Sequence, residues 1–202
     1  PVILRPRLLI ATNNSGKLKE LTGLLSESPY TPISLADVGI SQDVEETGST
    51  FEENACIKAT AYARMSGILT LADDSGLEVD ALDGEPGVLS ARYAGKDAND
   101  SDRIAYLLNK LDNIDKVDLH ARFRCVIALS TPSGDVQLYS GECRGKILER
   151  PRGNNGFGYD PIFLLNSIGK TMAELSNDEK NYVSHRGDAV RKVVEALKKG
   201  VF

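Results

Sequence analysis

One stretch in the middle of the chain restricts the fold more than any other sequence feature. Between residues 121 and 129 every second residue is apolar, which places these side chains on one face of a β-strand. A turn-forming segment at residues 132–135 follows, and residues 136–148 form a second strand-like segment. The pattern therefore predicts a long β-hairpin. Its alternating residues are Ala121, Phe123, Cys125, Ile127 and Leu129.

The start of the chain predicts a strand, a loop and a helix. The apolar run Leu8–Thr12 precedes a polar turn at residues 13–16, and leucines then recur at helical spacing between residues 18 and 25. Strand–helix alternation combined with a long hairpin indicates an α/β fold with a mixed sheet flanked by helices. We expect one domain, residues 1–202, with a hairpin-rich second lobe at roughly residues 119–150 and a central cleft.

Shorter patterns predict the remaining elements. Thr50, with Glu53 three residues later, matches a capping box and predicts a helix that continues to about Met65. Apolar residues at helical spacing predict two further helices, at residues 101–111 and 190–197. Three short strands are predicted at residues 69–72, 77–81 and 161–165, and a turn at residues 73–76 separates the first two.

Charge and cysteine content narrow the classes of function. The 24 basic and 29 acidic residues give a net charge of −5, which argues against a broad nucleic-acid-binding surface. No apolar run reaches the roughly 18 residues that a membrane span requires. Three cysteines without a C-x-x-C spacing disfavour a disulfide scaffold and a zinc ribbon, so we expect a cytoplasmic protein.

The loop at residues 12–17 is the first candidate site. It only partly resembles a P-loop, because Ala11 and Leu18 replace a required glycine and the hydroxyl residue that binds Mg²⁺. A polar turn at a helix N-terminus still offers backbone N–H groups to an anion. Lys17 and Lys19 lie where the helix dipole disfavours cations, which a bound anion would offset. An ordinary turn with solvated lysines explains the same residues.

Adjacent acidic residues form the second candidate. Glu45 and Glu46 lie next to each other, and Asp73 and Asp74 follow a hydrophobic strand. Neighbouring carboxylates repel each other, and carboxylate oxygens are ligands that suit Mg²⁺. These residues suggest a magnesium site, whereas a turn at the aspartates and a solvated face at the glutamates would need no metal.

Two further segments carry candidate binding residues. Residues 153–161 set Phe157 and Tyr159 among glycines, which suits stacking on a flat ring, with Asp160 as a hydrogen-bond acceptor. Alternatively, both aromatics anchor the loop on the core. Ser184 is a suitable N-cap, and it places His185 and Arg186 in the first turn of a helix, so cations again lie at a positive helix end. His120 is predicted to be structural.

Taken together and in order, these segments resemble the inosine/xanthosine triphosphate pyrophosphatase family. The matching stretches span residues 11–190 and read "ATNNSGKLKEL", "EETGSTFEENA", "ADDSGLEVDALDGEPGVLSARYAG", "GFGYDPIF" and "SHRGDAV". The first loop carries Asn13-Asn14 where relatives often have Gly-Asn. The resemblance implies an elongated mixed-sheet fold with two lobes and a cleft, a homodimer, and Mg²⁺-dependent hydrolysis of (d)ITP and XTP to the monophosphate and pyrophosphate.

The resemblance also implies roles for individual residues. Glu45 and Asp74 would bind the metal, Asp74 would be the catalytic proton acceptor, and Asp73 would support it. The implied substrate-binding residues are Thr12, Asn13, Asn14, Ser15, Gly16, Lys17, Ser75, Phe157, Gly158, Tyr159, Asp160, Lys180, His185 and Arg186. Two alternatives stay open at this point, a Maf-like pyrophosphatase acting on modified pyrimidines and a nucleotide-sensing module without turnover.

Overall fold

The computed structural model describes residues 4–115 and 119–202. The seven strands are β1 (Arg7–Ile10), β2 (Thr31–Ser34), β3 (Thr70–Val79), β4 (His120–Ser130), β5 (Val136–Ile147), β6 (Phe163–Leu165) and β7 (Lys170–Thr171). The five α-helices are α1 (Ser15–Leu24), α2 (Phe51–Ser66), α3 (Asp100–Asp112), α4 (Asn177–Val183) and α5 (His185–Lys199). No helix in these ranges is both long enough and apolar enough to cross a membrane.

All seven strands belong to one sheet, in the order β2-β1-β3-β4-β5-β6-β7. Strand β1 pairs in parallel with β2 and β3, whereas β6 pairs in antiparallel with β5 and β7. The predicted mixed sheet with flanking helices is therefore confirmed, as is the hairpin formed by β4 and β5.

The described chain divides into two compact units. The first unit contains the residues up to 74 together with 125–141 and 186–202, and the second contains 75–124 and 142–185. The β4–β5 hairpin is divided between the two units. Residues 125–141, which include its turn, belong to the first unit, and the remaining residues of both strands belong to the second. The lobe expected at residues 119–150 and the cleft stay predictions.

Each unit has its own hydrophobic core. In the first unit Leu8 and Ile10 of β1 pack with Leu21 of α1 and Val190 and Val193 of α5. Leu107 of α3 is completely buried in the core of the second unit, which also includes Phe123, Tyr159 and Phe163. Burial of these apolar faces is the main force that fixes the elements carrying the polar residues below.

Local capping explains where two of the helices begin. Thr50 has an extended backbone, and its side chain accepts a hydrogen bond from the Glu53 amide, so α2 begins where the capping box predicted. Helix α3 begins with a reciprocal capping box between Asn99 and Asp102.

The prediction of two strands separated by a turn at residues 73–76 is wrong. A single strand, β3, runs from Thr70 to Val79 through both aspartates. A strand can carry buried carboxylates only where hydrogen bonds or counter-charges compensate them, and the first unit supplies both. The predicted strand at 161–165 begins later, at Phe163, after a 3-10 turn at Asp160–Ile162.

The three cysteines are free thiols. Cys125 and Cys143 are buried, whereas Cys56 is only partly buried. Apart from Cys56, they behave as small core residues.

Candidate active site

Asp73 of β3 is the centre of the charged cluster in the first unit. Its carboxylate is buried, and its Oδ2 atom lies 3.4 Å from Lys17 Nζ and 3.6 Å from Arg186 Nε. The ammonium of Lys58 donates to the Asp73 carbonyl oxygen. Burial alone would raise the pKa of Asp73, but the positive charges of Lys17, Arg186 and Lys58 hold it below its usual value. Asp73 is therefore an ionised counter-charge for three cations.

Asp74, the next residue, has the opposite electrostatic behaviour. Burial raises its pKa to about 6, and the negative charge of Glu46 adds to the increase, while Lys58 and Lys17 partly oppose it. Asn54 Nδ2 donates to Asp74 Oδ2 over 3.0 Å. Two adjacent carboxylates with widely separated pKa values are a common arrangement in catalytic sites, where one group must exchange protons near neutral pH.

The acidic neighbour of Asp74 is Glu46. Glu46 Oε1 lies 2.9 Å from Lys58 Nζ, and its charge acts on Asp74. Glu45, which the sequence selected for the metal, is exposed. Glu46 is therefore held by Lys58 near Asp74, and the metal-binding role of Glu45 stays a prediction.

The loop before α1 is organised by its own side chains. Asn14 caps the helix by accepting from the Lys17 amide at 3.0 Å, and its own amide donates to Thr12 Oγ1. Asn13 Nδ2 donates to Asp43 Oδ1 over 2.7 Å. Of the two lysines expected to share an anion, Lys17 points to Asp73 and Lys19 is exposed. Ser15 and Gly16 form the first residues of the helix.

The cations at the two helix N-termini are compensated by carboxylates of the protein itself. Arg186 is 2% exposed, and its Nη1 atom donates to Glu20 Oε2 over 2.6 Å while Nε faces Asp73. These ion pairs account for the positions of Lys17 and Arg186 without a ligand, and the shared anion stays a prediction. Lys17 is also paired with Asp73, so Arg186 and Lys17 are held in place before any ligand arrives.

A second cluster lies in the second unit around Asp160. The Asp160 carboxylate is buried and accepts from Lys180 Nζ at 2.6 Å and from the Phe157 amide at 3.1 Å. The Lys180 ammonium lies 4.5 Å from the centre of the Phe157 ring, within the range of a cation–π contact. This cluster brings together one aromatic ring and one anion from the loop and one cation from α4.

Tyr159 does not have the predicted stacking role. Its ring is 4% exposed in the core of the second unit, and its hydroxyl donates to the Ser90 carbonyl over 2.7 Å. Burial raises the pKa of its phenol. Of the two aromatics, only the partly buried Phe157 is placed to meet a ligand.

The other residues singled out from the sequence differ in their exposure to solvent. His185 is 4% exposed and stacks on Phe123, with ring centres 4.7 Å apart. Ser75 is partly buried on β3. His120, expected to be structural, is exposed and lines a 380 Å³ depression with Arg122 and Arg144.

Sequence reasoning missed several residues of the first cluster. Asn54 and Lys58 both lie on α2, and Glu20 lies on α1. Asn54 and Lys58 are four residues apart and so share a helix face, and two polar residues on one face of an alanine-rich helix are a signal that could have identified them. Within residues 4–115 and 119–202, no three His, Cys, Asp or Glu side chains are grouped closely enough to hold a metal by themselves.

Comparison with known proteins gives consistent matches over almost the whole chain. Residues 8–196 match the model of the Ham1 family. A dITP/XTP pyrophosphatase of Geobacter sulfurreducens is 52% identical over 184 residues, which cover 91% of this chain and 92% of the relative. The Bacillus subtilis dITP/XTP pyrophosphatase is 47% identical, with 97% and 99% covered. A solved HAM1 protein of Coxiella burnetii is 44% identical, with a TM-score of 0.89, and 96% of this chain and 100% of that chain are covered.

Proposed function

Because this chain belongs to the Ham1 family, we propose that it hydrolyses non-standard purine nucleoside triphosphates, ITP, dITP and XTP, to the nucleoside monophosphate and pyrophosphate. The relatives named dITP/XTP pyrophosphatase support this substrate class. One observation carries the proposal: a carboxyl with a pKa near 6, Asp74, lies beside a cluster of buried cations around Asp73.

The first unit contains the groups that a triphosphate and its hydrolysis require. Lys17 and Lys58 are fixed by carboxylates, so they would bind phosphate oxygens with little loss of side-chain entropy. Asp74 accepts the proton of the attacking water, because its raised pKa makes it a better base than an exposed aspartate. Asn54 Nδ2 donates to Asp74 Oδ2 and so fixes the orientation of the carboxyl that accepts the proton. The water attacks the α-phosphorus, and pyrophosphate leaves.

Asp74 and Glu46 are also suited to bind Mg²⁺. Mg²⁺ in nucleotide enzymes is commonly held by one or two carboxylates, substrate phosphates and water, so a group of three protein ligands is not required. Repulsion between these two carboxylates is the kind of strain that a divalent cation relieves. Bound Mg²⁺ would supply charge neutralisation for the phosphates.

The second unit contains groups suited to the base. Phe157 offers a ring for stacking, and Lys180 is a donor beside it. Hypoxanthine and xanthine present an acceptor oxygen where adenine presents an amino group, so a donor at this point favours these bases over adenine. A site built around such hydrogen bonds rejects a base that leaves them unpaired.

A substrate panel tests the proposal. The protein is incubated with Mg²⁺ and ITP, dITP, XTP, ATP or GTP, and monophosphate and pyrophosphate are quantified. We expect equimolar products and a kcat/KM for ITP or XTP about 10²-fold or more above that for ATP. Release of orthophosphate, or equal kcat/KM for ATP and ITP, would contradict the proposal. Binding without turnover would indicate a nucleotide sensor.

The resemblance also leads us to propose a homodimer and a cytoplasmic location. Sedimentation velocity at micromolar concentration tests the first proposal, and a single species with the mass of one chain would contradict it. Fluorescence microscopy of a tagged chain tests the second.

A further inference from the structure

The geometry points to Asp100 as a positioning residue that sets the affinity of the second cluster for the nucleobase. Asp100 belongs to none of the motifs that carry the family resemblance. Its carboxylate nevertheless reaches the loop that bears Phe157 and Asp160, where Oδ2 accepts from the Gly158 amide at 2.9 Å. This inference rests on the proposed function, because it assumes that this loop binds the purine.

The loop is a tight turn that closes around Asp160. The Asp160 carboxylate accepts from the Phe157 amide and from Lys180. Gly156 has φ +71, and a Cβ atom there would collide with the Asp160 carboxylate. The Gly158 amide donates to Asp100, so this donor is held by a residue outside the turn. Asp100 therefore binds the turn at the residue next to Phe157.

Asp100 is itself held by Arg103. Arg103 Nη2 donates to Asp100 Oδ1 over 2.7 Å, so the two carboxylate oxygens have separate partners. Arg103 Nη1 donates to the carbonyls of Ala98 and Ala91, and only 17% of the Arg103 side chain is exposed. The guanidinium thus links Asp100 to the backbone of two segments before α3, which reduces the freedom of the carboxylate.

The stability of helix α3 does not explain the orientation of Asp100. The helix N-terminus is capped by Asn99 and Asp102, which exchange hydrogen bonds of 2.8 and 3.0 Å. Asp100 and Asp102 both lie in the first turn, where the helix dipole favours a negative charge by similar amounts. The difference between them is that Asp100 contacts the loop and Asp102 completes the cap.

The position of the Phe157 ring depends on this contact, because Asp100 holds the amide of the next residue, Gly158. Without Asp100, the Gly158 amide loses its acceptor, and the peptide between Phe157 and Gly158 can rotate. The ring would then lose its fixed position against Lys180, and the base would have to order it on binding. The ion pairs described for Lys17 and Lys58, the residues assigned to the phosphates, are with Asp73 and Glu46.

Four full-length proteins test the inference: wild type, Asp100→Ala, Asp100→Asn and the control Asp102→Ala. Inhibition constants for IMP, which carries the base, and for inorganic pyrophosphate, which does not, are measured with ITP as substrate. We expect Asp100→Ala to raise the IMP constant and the KM for ITP about five- to tenfold, as for a charge-assisted bond at a partly exposed site. The pyrophosphate constant and kcat should change less than twofold.

The other variants separate positioning from a general structural role. Asp100→Asn keeps an acceptor oxygen and should retain most of the IMP affinity. Asp102→Ala should lower the melting temperature without changing the IMP affinity. If Asp100→Ala does not fold, as judged by circular dichroism, Asp100→Ser provides the same readout with a residue favoured at helix starts.

Three results would overturn the inference, and the third also refutes the proposed function. Equal IMP constants for wild type and Asp100→Ala, or equal losses in Asp100→Ala and Asp102→Ala, while wild type hydrolyses ITP, would refute the role of Asp100 alone. Failure of the wild type to hydrolyse ITP would refute the proposed function and this inference with it.

Discussion

Asn54 Nδ2 donates a 3.0 Å hydrogen bond to Oδ2 of Asp74. The orientation of this amide is fixed, because Asn54 Oδ1 accepts from the Gly48 amide at 2.8 Å. Asn54 is completely buried. One amide thus joins the segment that carries Glu46 to the carboxyl with the raised pKa, and it fixes the orientation of that carboxyl.

The raised pKa of Asp74 predicts an unusual dependence of stability on pH. Its folded-state pKa of about 6 lies above the ordinary value of 3.8. The folded state therefore binds more protons than the unfolded state between these values, and the contribution of Asp74 to stability falls as the pH rises from about 4 to 6. Asp73 acts in the opposite direction, because its pKa is lowered. Its contribution is present above its ordinary pKa and is lost as the pH falls below that value.

Asp74→Asn should therefore stabilise the metal-free protein. We expect the free energy of unfolding to rise by about 1–3 kcal/mol at pH 7.5 and the gain to disappear near pH 4. Urea unfolding of both proteins in the presence of a chelator, at pH 7.5 and at pH 4, measures this gain in the free energy of unfolding. A variant that is less stable than wild type at pH 7.5 would contradict the assigned pKa.

Removal of the Lys58 charge should weaken both stability and activity. Its ammonium holds Glu46 and the Asp73 carbonyl, and its side chain is 12% exposed. Lys58→Met leaves carboxylates with less counter-charge, so we expect a loss of about 3 kcal/mol in the free energy of unfolding. We also expect at least a tenfold loss in kcat/KM, because Lys58 is assigned to the phosphates.

Lys19 provides the control for this variant. It lies on α1 near Lys17 but is exposed, so Lys19→Met should change the free energy of unfolding by less than about 0.5 kcal/mol. Similar effects of Lys58→Met and Lys19→Met would show that Lys58 has no special role.

Two glycines in the Phe157 loop offer a matched pair. Both Gly156 and Gly158 have positive φ, but a Cβ atom collides with the Asp160 carboxylate only at Gly156. Gly158→Ala should cost about 1–2 kcal/mol of backbone strain. Gly156→Ala should cost more, and it should raise the KM for ITP, since Asp160 must move. Thermal unfolding and initial rates measure the two effects, and a smaller loss for Gly156→Ala would be inconsistent with this loop geometry.

The sequence predicted those parts of the fold that depend on neighbouring residues. Thr50 begins α2 through its own hydroxyl, and the alternation from residue 121 to 129 marks β4, because both signals are local. The prediction of a turn at residues 73–76 was wrong because the strand there depends on residues that are distant in sequence. Asp73 lies within a strand because Lys17 and Arg186, which are distant in sequence, compensate its charge.

The candidate site shows the same difference between local and distant information. Asp160 was identified from its glycine-rich segment and Lys180 from the family resemblance, and the structure brings them into contact. The choice between Glu45 and Glu46 depends on which of two neighbouring side chains turns to Lys58, and no local pattern encodes that direction. Tyr159 was predicted to stack on a ligand, but it is buried. Its burial is determined by the packing of the whole second unit, which no local sequence pattern shows.

Turnover of ITP by Asp74→Asn tests the central claim most directly. Asparagine keeps the size and the hydrogen-bonding reach of the side chain but cannot accept the proton, so we expect kcat to fall about 10²–10⁴-fold with unchanged circular dichroism. A folded Asp74→Asn protein that releases pyrophosphate from ITP at the wild-type rate would contradict the account.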